Sequence, residues 1–265
     1  MKLLDLTFPS PAENLAGDEA LLDWCEAGDG EEVLRFWESP THFVVVGYAN
    51  KVAAEVNLEA CEARGIPILR RCSGGGTVVQ GPGCLNYALI LRITADGPTR
   101  NISAANRFIM ERNRAAMEAA LEQTTLPSPG LPATLSPSDG ERDGVRGKIS
   151  VGVCGHTDLA TGGIKFSGNS QRRRRKFLLF HGTFLLNFDL KLMSELLHMP
   201  SRQPGYRQSR SHKEFVTNLK MPANDVKAAL QMSWEAEDRC PVTLQSEIAK
   251  LVEQKYSKLE WNLKF

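Results

Sequence analysis

Arg70-Arg71-Cys72-Ser73-Gly74-Gly75-Gly76-Thr77-Val78-Val79-Gln80-Gly81-Pro82-Gly83 continues an apolar run that begins at Ile66. The spacing predicts a strand over 66–71 that ends at the triple glycine. Three consecutive glycines are costly in chain entropy. They suit a place where backbone must approach a ligand closely, with N–H groups turned toward an anion. Arg70 and Arg71, just before them, can neutralise a phosphate or carboxylate. The plain alternative is a flexible turn beside a solvated basic pair, and spacing alone does not choose between the two.

Outward from this stretch, strands and helices are mixed. Pro11 to Glu26 reads as an amphipathic helix with Leu15, Glu19 and Leu22 on one face. Val33–Trp37 and Phe43–Gly47 read as strands, and Asn57 as the N-cap of a helix over Leu58–Arg64. Tyr87–Ile93 reads as a buried strand, and Ser103–Gln123 as a helix facing inward with Ala105, Phe108, Ile109, Arg112, Ala116 and Ala120. Residues 124–147 carry four prolines and four glycines and read as a surface loop insertion. Two strands flank the turn Thr161-Gly162-Gly163, and Leu178–Phe188 is a further strand, followed by a helix through Leu197. Residues 200–213 read as a loop. Two short C-terminal helices follow, with Asn224 and Thr243 as their caps. Elements that mix in this way, without strict alternation, argue against a doubly wound nucleotide fold.

Composition sets the outer bounds. The 265 residues are 42% apolar and 24% charged, with a net charge of +1. This is ordinary for a globular chain and gives no overall pull toward nucleic acid or membrane. No apolar stretch approaches bilayer length and the start does not read as a signal peptide, so a cytoplasmic protein is expected. Six cysteines, none in a CxxC pair, disfavour a zinc site and read as reduced thiols.

Other motifs are weaker alone. Gly144–Ile149 lacks the spacing and the Ser/Thr of a phosphate-binding loop, and there is no dinucleotide fingerprint. Lys165, in Gly163-Ile164-Lys165-Phe166-Ser167-Gly168-Asn169-Ser170-Gln171, can project a point charge into a site, although a surface lysine is the plain reading. Nothing local marks His181, in His181-Gly182-Thr183, as a base. The basic run 172–176 lacks the aromatic support that nucleic-acid binding requires, so nucleic acid is disfavoured. A solvated hairpin tip or a docking patch for an acidic partner is expected instead.

Taken together and in order, the triple-glycine segment, Asn86-Tyr87, Asp158, Lys165, His181-Gly182-Thr183 and Phe215-Val216-Thr217-Asn218-Leu219 resemble lipoate-protein ligase A over residues 10–220. The resemblance implies an α/β (α+β) fold of the class II synthetase and biotin/lipoate ligase kind, a mixed, mostly antiparallel sheet flanked by helices. It implies a catalytic domain over 1–220 and a short helical extension over 221–265. It further implies activation of lipoate or octanoate by ATP and Mg2+ to an acyl-adenylate, and transfer to a lysine of a lipoyl acceptor domain, with an accessory subunit in some members.

On this resemblance Lys165 is catalytic and contacts phosphate and acyl carbonyl. Arg70, Arg71, Ser73, Gly74, Gly75, Gly76, Asn86, Asp158, Asn169 and His181 line the substrate and adenylate, with Asp158 also a magnesium contact. Gln80 stands where many members have histidine. The same fold hosts octanoyltransferases that use no ATP and carry the acyl group on a cysteine. Here Cys154, eleven residues before Lys165, is the candidate nucleophile. A third reading is a binding module that kept the fold without the chemistry.

Overall fold

The computed structural model describes residues 1–28, 31–125, 150–240 and 244–265. Its strands are β1 (Lys2–Asp5), β2 (Val33–Trp37), β3 (Phe43–Val46), β4 (Ile68–Arg70), β5 (Val78–Gln80), β6 (Cys84–Arg92), β7 (Val151–Cys154), β8 (Asp158–Thr161), β9 (Ile164–Arg173), β10 (Phe177–Leu185) and β11 (Asp238–Arg239). Its helices are α1 (Pro11–Ala27), α2 (Val52–Glu55), α3 (Leu58–Ala63), α4 (Ile102–Thr125), α5 (Lys191–Leu196), α6 (His212–Phe215), α7 (Ala223–Trp234), α8 (Gln245–Leu251) and α9 (Leu259–Asn262).

Eight strands form one sheet in the order β11-β1-β2-β6-β10-β9-β8-β7, and β4-β3-β5 form a second, smaller one. Only β1 pairs in parallel within the large sheet, with β2 and β11, and every other pairing there is antiparallel. The mixed sheet flanked by helices is the architecture expected from the sequence.

The middle strands are mostly apolar because both of their faces are covered, with Arg35, Asn86, His181 and Thr183 as polar exceptions. Leu34, Leu89 and Phe180 face α4 and α7, while Val33, Ile90 and Leu179 face α1 and the C-terminal helices. The smaller sheet has its own cluster around Val44, Val46 and Leu196. A buried polar chain ties the α4–α7 side to the sheet. Trp234 Nε1 donates to Asn113 Oδ1 (2.8 Å), Asn113 Nδ2 to Tyr87 Oη (2.8 Å), and Tyr87 Oη to Asn169 Oδ1 (2.7 Å).

Several expectations shift. Helix α1 is buried from Asn14 through Leu22, and Asn14, Asp18 and Glu19 point inward, so it has no solvent face of the usual kind. In α4 the inner face also includes Met110, Asn113 and Met117. Asn57 caps α3 as expected, accepting from Ala60 N at 3.2 Å. Asn224 does not cap α7. Pro222 holds that position, its fixed φ already suited to a helix start, and Asn224 lies inside the first turn. The loop over 200–213 contains a 3-10 turn at Gly205–Arg207 and the start of α6. Residues 126–147 of the expected insertion, and Thr243, lie outside the described residues.

The basic run 172–176 is not a freely solvated tip. Arg173 donates to Thr99 O, Arg174 pairs with Asp23, and the Glu26 carboxylate accepts from the backbone of Arg175, Lys176 and Phe177. Among the described residues no helix is long and apolar enough to cross a membrane.

Candidate active site

A cavity of about 620 Å³ opens between the two sheets. The smaller sheet supplies Val45, Val78 and Gln80, and the larger one Asn86, His181 and Lys165. The segment from His198 to Arg207 runs along its edge.

One wall is the glycine loop. Gly75 has φ +86°, and a Cβ there would lie 2.9 Å from the Arg71 guanidinium, so both conformation and space require glycine. Arg71 is buried and holds the loop from inside. Its Nε and Nη2 donate to Gly74 O (3.0 and 2.6 Å), and Nη2 also donates to Gly76 O (2.7 Å). Among the described residues no carboxylate lies within ion-pair distance of it. Burial lowers its pKa to about 10, which measures how poorly this cation is compensated.

Arg70 is also buried but faces away from the cavity. It donates to Gly47 O (2.8 Å), Asn50 O (2.9 Å) and Trp261 O (3.0 Å), while its own backbone N–H is accepted by Asn262 Oδ1. The arginine pair read together from the sequence is therefore split, one side chain toward the site and one into the scaffold.

Behind the loop, Ser73 Oγ lies 2.6 Å from His181 Nε2, and His181 Nδ1 lies 3.0 Å from Asp18 Oδ2. The other Asp18 oxygen accepts from Arg35 Nη1 at 2.5 Å. Asp18 orients the imidazole so that Nε2 faces the serine hydroxyl. All four side chains are buried. His181 thus joins helix α1 to the glycine loop. Beside it, Gln80 Nε2 donates to Thr183 Oγ1 (2.9 Å), and Thr183 donates to Asn86 Oδ1 (2.6 Å).

The opposite wall carries Lys165. Its Nζ pairs with Asp158 Oδ1 at 2.7 Å, and Asp158 Oδ2 accepts from Tyr206 Oη at 2.7 Å. Gly168 makes room for the ammonium, since a Cβ there would lie 2.5 Å from Lys165 Nζ. Asn169 points to the helix side of the sheet. Its Oδ1 accepts from Tyr87 and its Nδ2 donates to Thr157 O (2.8 Å), so it supports the strand carrying Lys165. Gly182 is required opposite it, because a Cβ would fall 1.7 Å from Asn169 Oδ1.

Cys154 pairs with Asp158 across the β7–β8 turn but does not line the cavity. Burial and the Asp158 charge both raise its thiol pKa, the opposite of what activates a thiolate. Cys25, Cys72 and Cys84 are pushed up to about 12 by burial. Among the described residues no three His, Cys, Asp or Glu side chains gather to hold a metal.

Sequence reasoning missed Asp18, Arg35 and Tyr206. For the first two a signal existed: an acid on the apolar face of α1 and an arginine in the middle of Val33-Leu34-Arg35-Phe36-Trp37 are complementary charges at core positions. Tyr206 sits in a stretch with no periodicity and carried no signal.

The chain has relatives. Octanoyltransferase LipM of Geobacillus kaustophilus is 28% identical over 282 residues, covering 99% of this chain and 98% of its own. A bipartite lipoate protein ligase from Thermoplasma acidophilum, solved with its E2 lipoyl domain as an archaeal lipoylation system, superposes with a TM-score of 0.76 at 22% identity. That match covers 99% of this chain and 95% of the other. A lipoate-protein ligase A solved with bound ATP superposes with a TM-score of 0.73 at 26% identity, covering 99% and 98%. The family profile of the lipoyl protein ligase A/B catalytic domain matches residues 10–233, and the chain belongs to that family, whose related members include enzymes named as lipoate-protein ligases and as octanoyltransferases.

Proposed function

We propose that this enzyme is a lipoate-protein ligase that activates lipoate or octanoate with ATP and then acylates a lysine of a lipoyl acceptor domain. The observation that carries this reading is the presence of two cations at one cavity: buried Arg71, with no carboxylate partner among the described residues, and Lys165. Such a site is arranged for a ligand with an anionic phosphate next to an acyl carbonyl. The relative solved with bound ATP is consistent with it.

In the first half-reaction a carboxylate oxygen of the acid attacks the α-phosphorus of ATP. The bond to pyrophosphate breaks, leaving acyl-AMP. In the second, the acceptor lysine amine attacks the acyl carbon, the carbon–oxygen bond to AMP breaks, and the amine proton leaves with solvent or the phosphate. Lys165 steadies the negative charge that builds on the acyl oxygen and the phosphate in both steps. Gly75 and Gly76, in the loop that Arg71 holds, line the same cavity and would bring backbone close to the ligand.

Asp158, whose two oxygens already meet Lys165 and Tyr206, would reach a Mg2+ ion only through a remaining lone pair, so such an ion would be carried mainly by nucleotide phosphates and water. Such an ion would neutralise phosphate charge. The bipartite Thermoplasma ligase supports a lipoyl-domain acceptor and a separate accessory subunit as partners.

The LipM relative favours a second reading, ATP-free transfer through a Cys154 thioester. The raised Cys154 thiol and its place outside the cavity lining weigh against it. Mass spectrometry of a lipoyl domain incubated with lipoate, with and without ATP, separates the two. Modification only with ATP, and lipoate-dependent ATP–pyrophosphate exchange lost in Lys165→Ala, are expected. ATP-free transfer from octanoyl carrier protein that Cys154→Ser abolishes would overturn the ligase reading.

A further inference from the structure

We infer that Tyr206 is a positioning residue that fixes the Asp158 carboxylate and, through it, the Lys165 ammonium. The inference rests on the proposed role of Lys165 at the reacting centre, which the ligase and the thioester routes share.

Asp158 is held at both oxygens, Oδ1 by Lys165 Nζ and Oδ2 by Tyr206 Oη, each at 2.7 Å. A carboxylate with one oxygen free can rotate about its own axis. One gripped at both ends cannot, and the ammonium it holds stays over Gly168, where a Cβ would be 2.5 Å from Nζ. Misplacement of a charged group by a fraction of an ångström is enough to slow a reaction severely.

The phenol is itself well placed for this role. Its ring packs on Phe215 with centroids 5.1 Å apart, and a Cβ on Gly155 would lie 3.4 Å from the ring. Its carbonyl accepts from Arg210 Nη2 (2.8 Å), and the same Nη2 donates to Gly163 O (3.1 Å), in the turn just before Lys165. Thr217 N donates to Lys165 O at 2.8 Å, so the chain following Tyr206 also braces the lysine's backbone.

Tyr206 does not line the cavity, whereas its neighbours Pro204 and Arg207 do. It therefore acts through Asp158 and not by touching the acyl group. It also ties the segment along the cavity edge, which carries Pro204 and Arg207, to the carboxylate beside the lysine.

The test is steady-state transfer to a lipoyl domain, from lipoate with ATP or from octanoyl carrier protein, whichever donor the wild type uses. Tyr206→Phe keeps the ring and removes only the hydroxyl. The expected result is a kcat about tenfold lower, the loss of one charge-assisted hydrogen bond, with the acyl-donor KM within about twofold. In an Asp158→Ala background the same change should cost nothing further, because the carboxylate it acts on is gone.

An unchanged kcat in Tyr206→Phe would overturn the proposal, as would a full additional loss in the double variant or a rise in KM at constant kcat. So would a defect in Tyr206→Leu with none in Tyr206→Phe, which would assign the effect to ring packing. A wild type inactive with both donors removes the proposed reaction and this inference together. A wild type that is active and indifferent to Tyr206→Phe removes only the inference.

Discussion

The two walls of the cavity are built on different principles. The glycine-loop wall is held from behind by buried groups. Arg71 grips backbone carbonyls, and Ser73, His181, Asp18 and Arg35 form a continuous chain of contacts into helix α1. The lysine wall is held by side chains that water can reach. The Lys165–Asp158 pair has side-chain exposures of 23% and 14%, against 0% and 2% for Arg35–Asp18. Breaking a buried pair leaves an uncompensated charge and destabilises the fold, whereas a partly exposed pair contributes little to stability. One wall is thus coupled to folding and the other is free to serve chemistry.

The largest expected effect breaks the first wall. Asp18→Ala strands Arg35, whose pKa burial already lowers against the opposing pull of Asp18, and takes the acceptor from His181. A loss of about 3–5 kcal/mol is expected. Thermal denaturation should register it as a fall in Tm on the order of 10 °C. A fall of only a degree or two would mean that the chain is not load-sharing with α1 and that the contrast between the walls is false.

Next comes the second wall. Lys165→Ala should lower acyl transfer by roughly 10²–10³, the usual cost of deleting a group that stabilises developing charge. Its Tm should remain within a few degrees of the wild type, since a partly exposed pair is worth at most about 1 kcal/mol. Kinetics and melting on the same preparation check both halves. A large Tm loss would show the lysine wall to be structural as well.

A smaller change sharpens the same point. Gly168→Ala places a methyl where Lys165 Nζ now sits. The obstacle is the far end of a flexible side chain and φ at Gly168 is not in the left-handed region, so the fold should tolerate it. Transfer should fall about tenfold as the ammonium is pushed off its 2.7 Å contact with Asp158. Gly75→Ala is the control from the other wall. There φ is +86° and the cost should appear in stability.

This contrast also explains what the sequence could and could not reveal. The sheet was legible because β6 and β10 are mostly apolar, and runs such as Tyr87–Ile93 announce a strand covered on both faces. The glycine loop was legible because three glycines have few other reasons to follow a strand. That Arg70 and Arg71 part follows from the alternation of side chains along a strand, but which of them turns to the scaffold was not legible, since Trp261 and Asn262, which dock on Arg70, lie nearly two hundred residues later. Asp18 was hidden for the opposite reason: a periodicity count scores Leu15 and Leu22 and passes over the acid between them. Tyr206 lies in an aperiodic stretch and acquires meaning only from the carboxylate it meets.

The smallest expected effect concerns Cys154, which stands on the lysine side yet outside the cavity lining. Burial and Asp158 raise its thiol above the ordinary range, so the thiolate is scarce at neutral pH and grows as pH rises. Alkylation by iodoacetamide, followed by peptide mass spectrometry, should therefore be slow near pH 7 and climb steadily past pH 9, later than for an unperturbed cysteine at about 8.5. Cys154→Ser should leave ATP-dependent transfer within about twofold of wild type, because a half-buried thiol outside the cavity lining behaves as a small apolar filler. Rapid alkylation near pH 7 would mean that the lysine wall lowers the thiol after all. Lys165 would then serve a thioester on Cys154, and the chemistry of that wall would be acyl transfer without ATP.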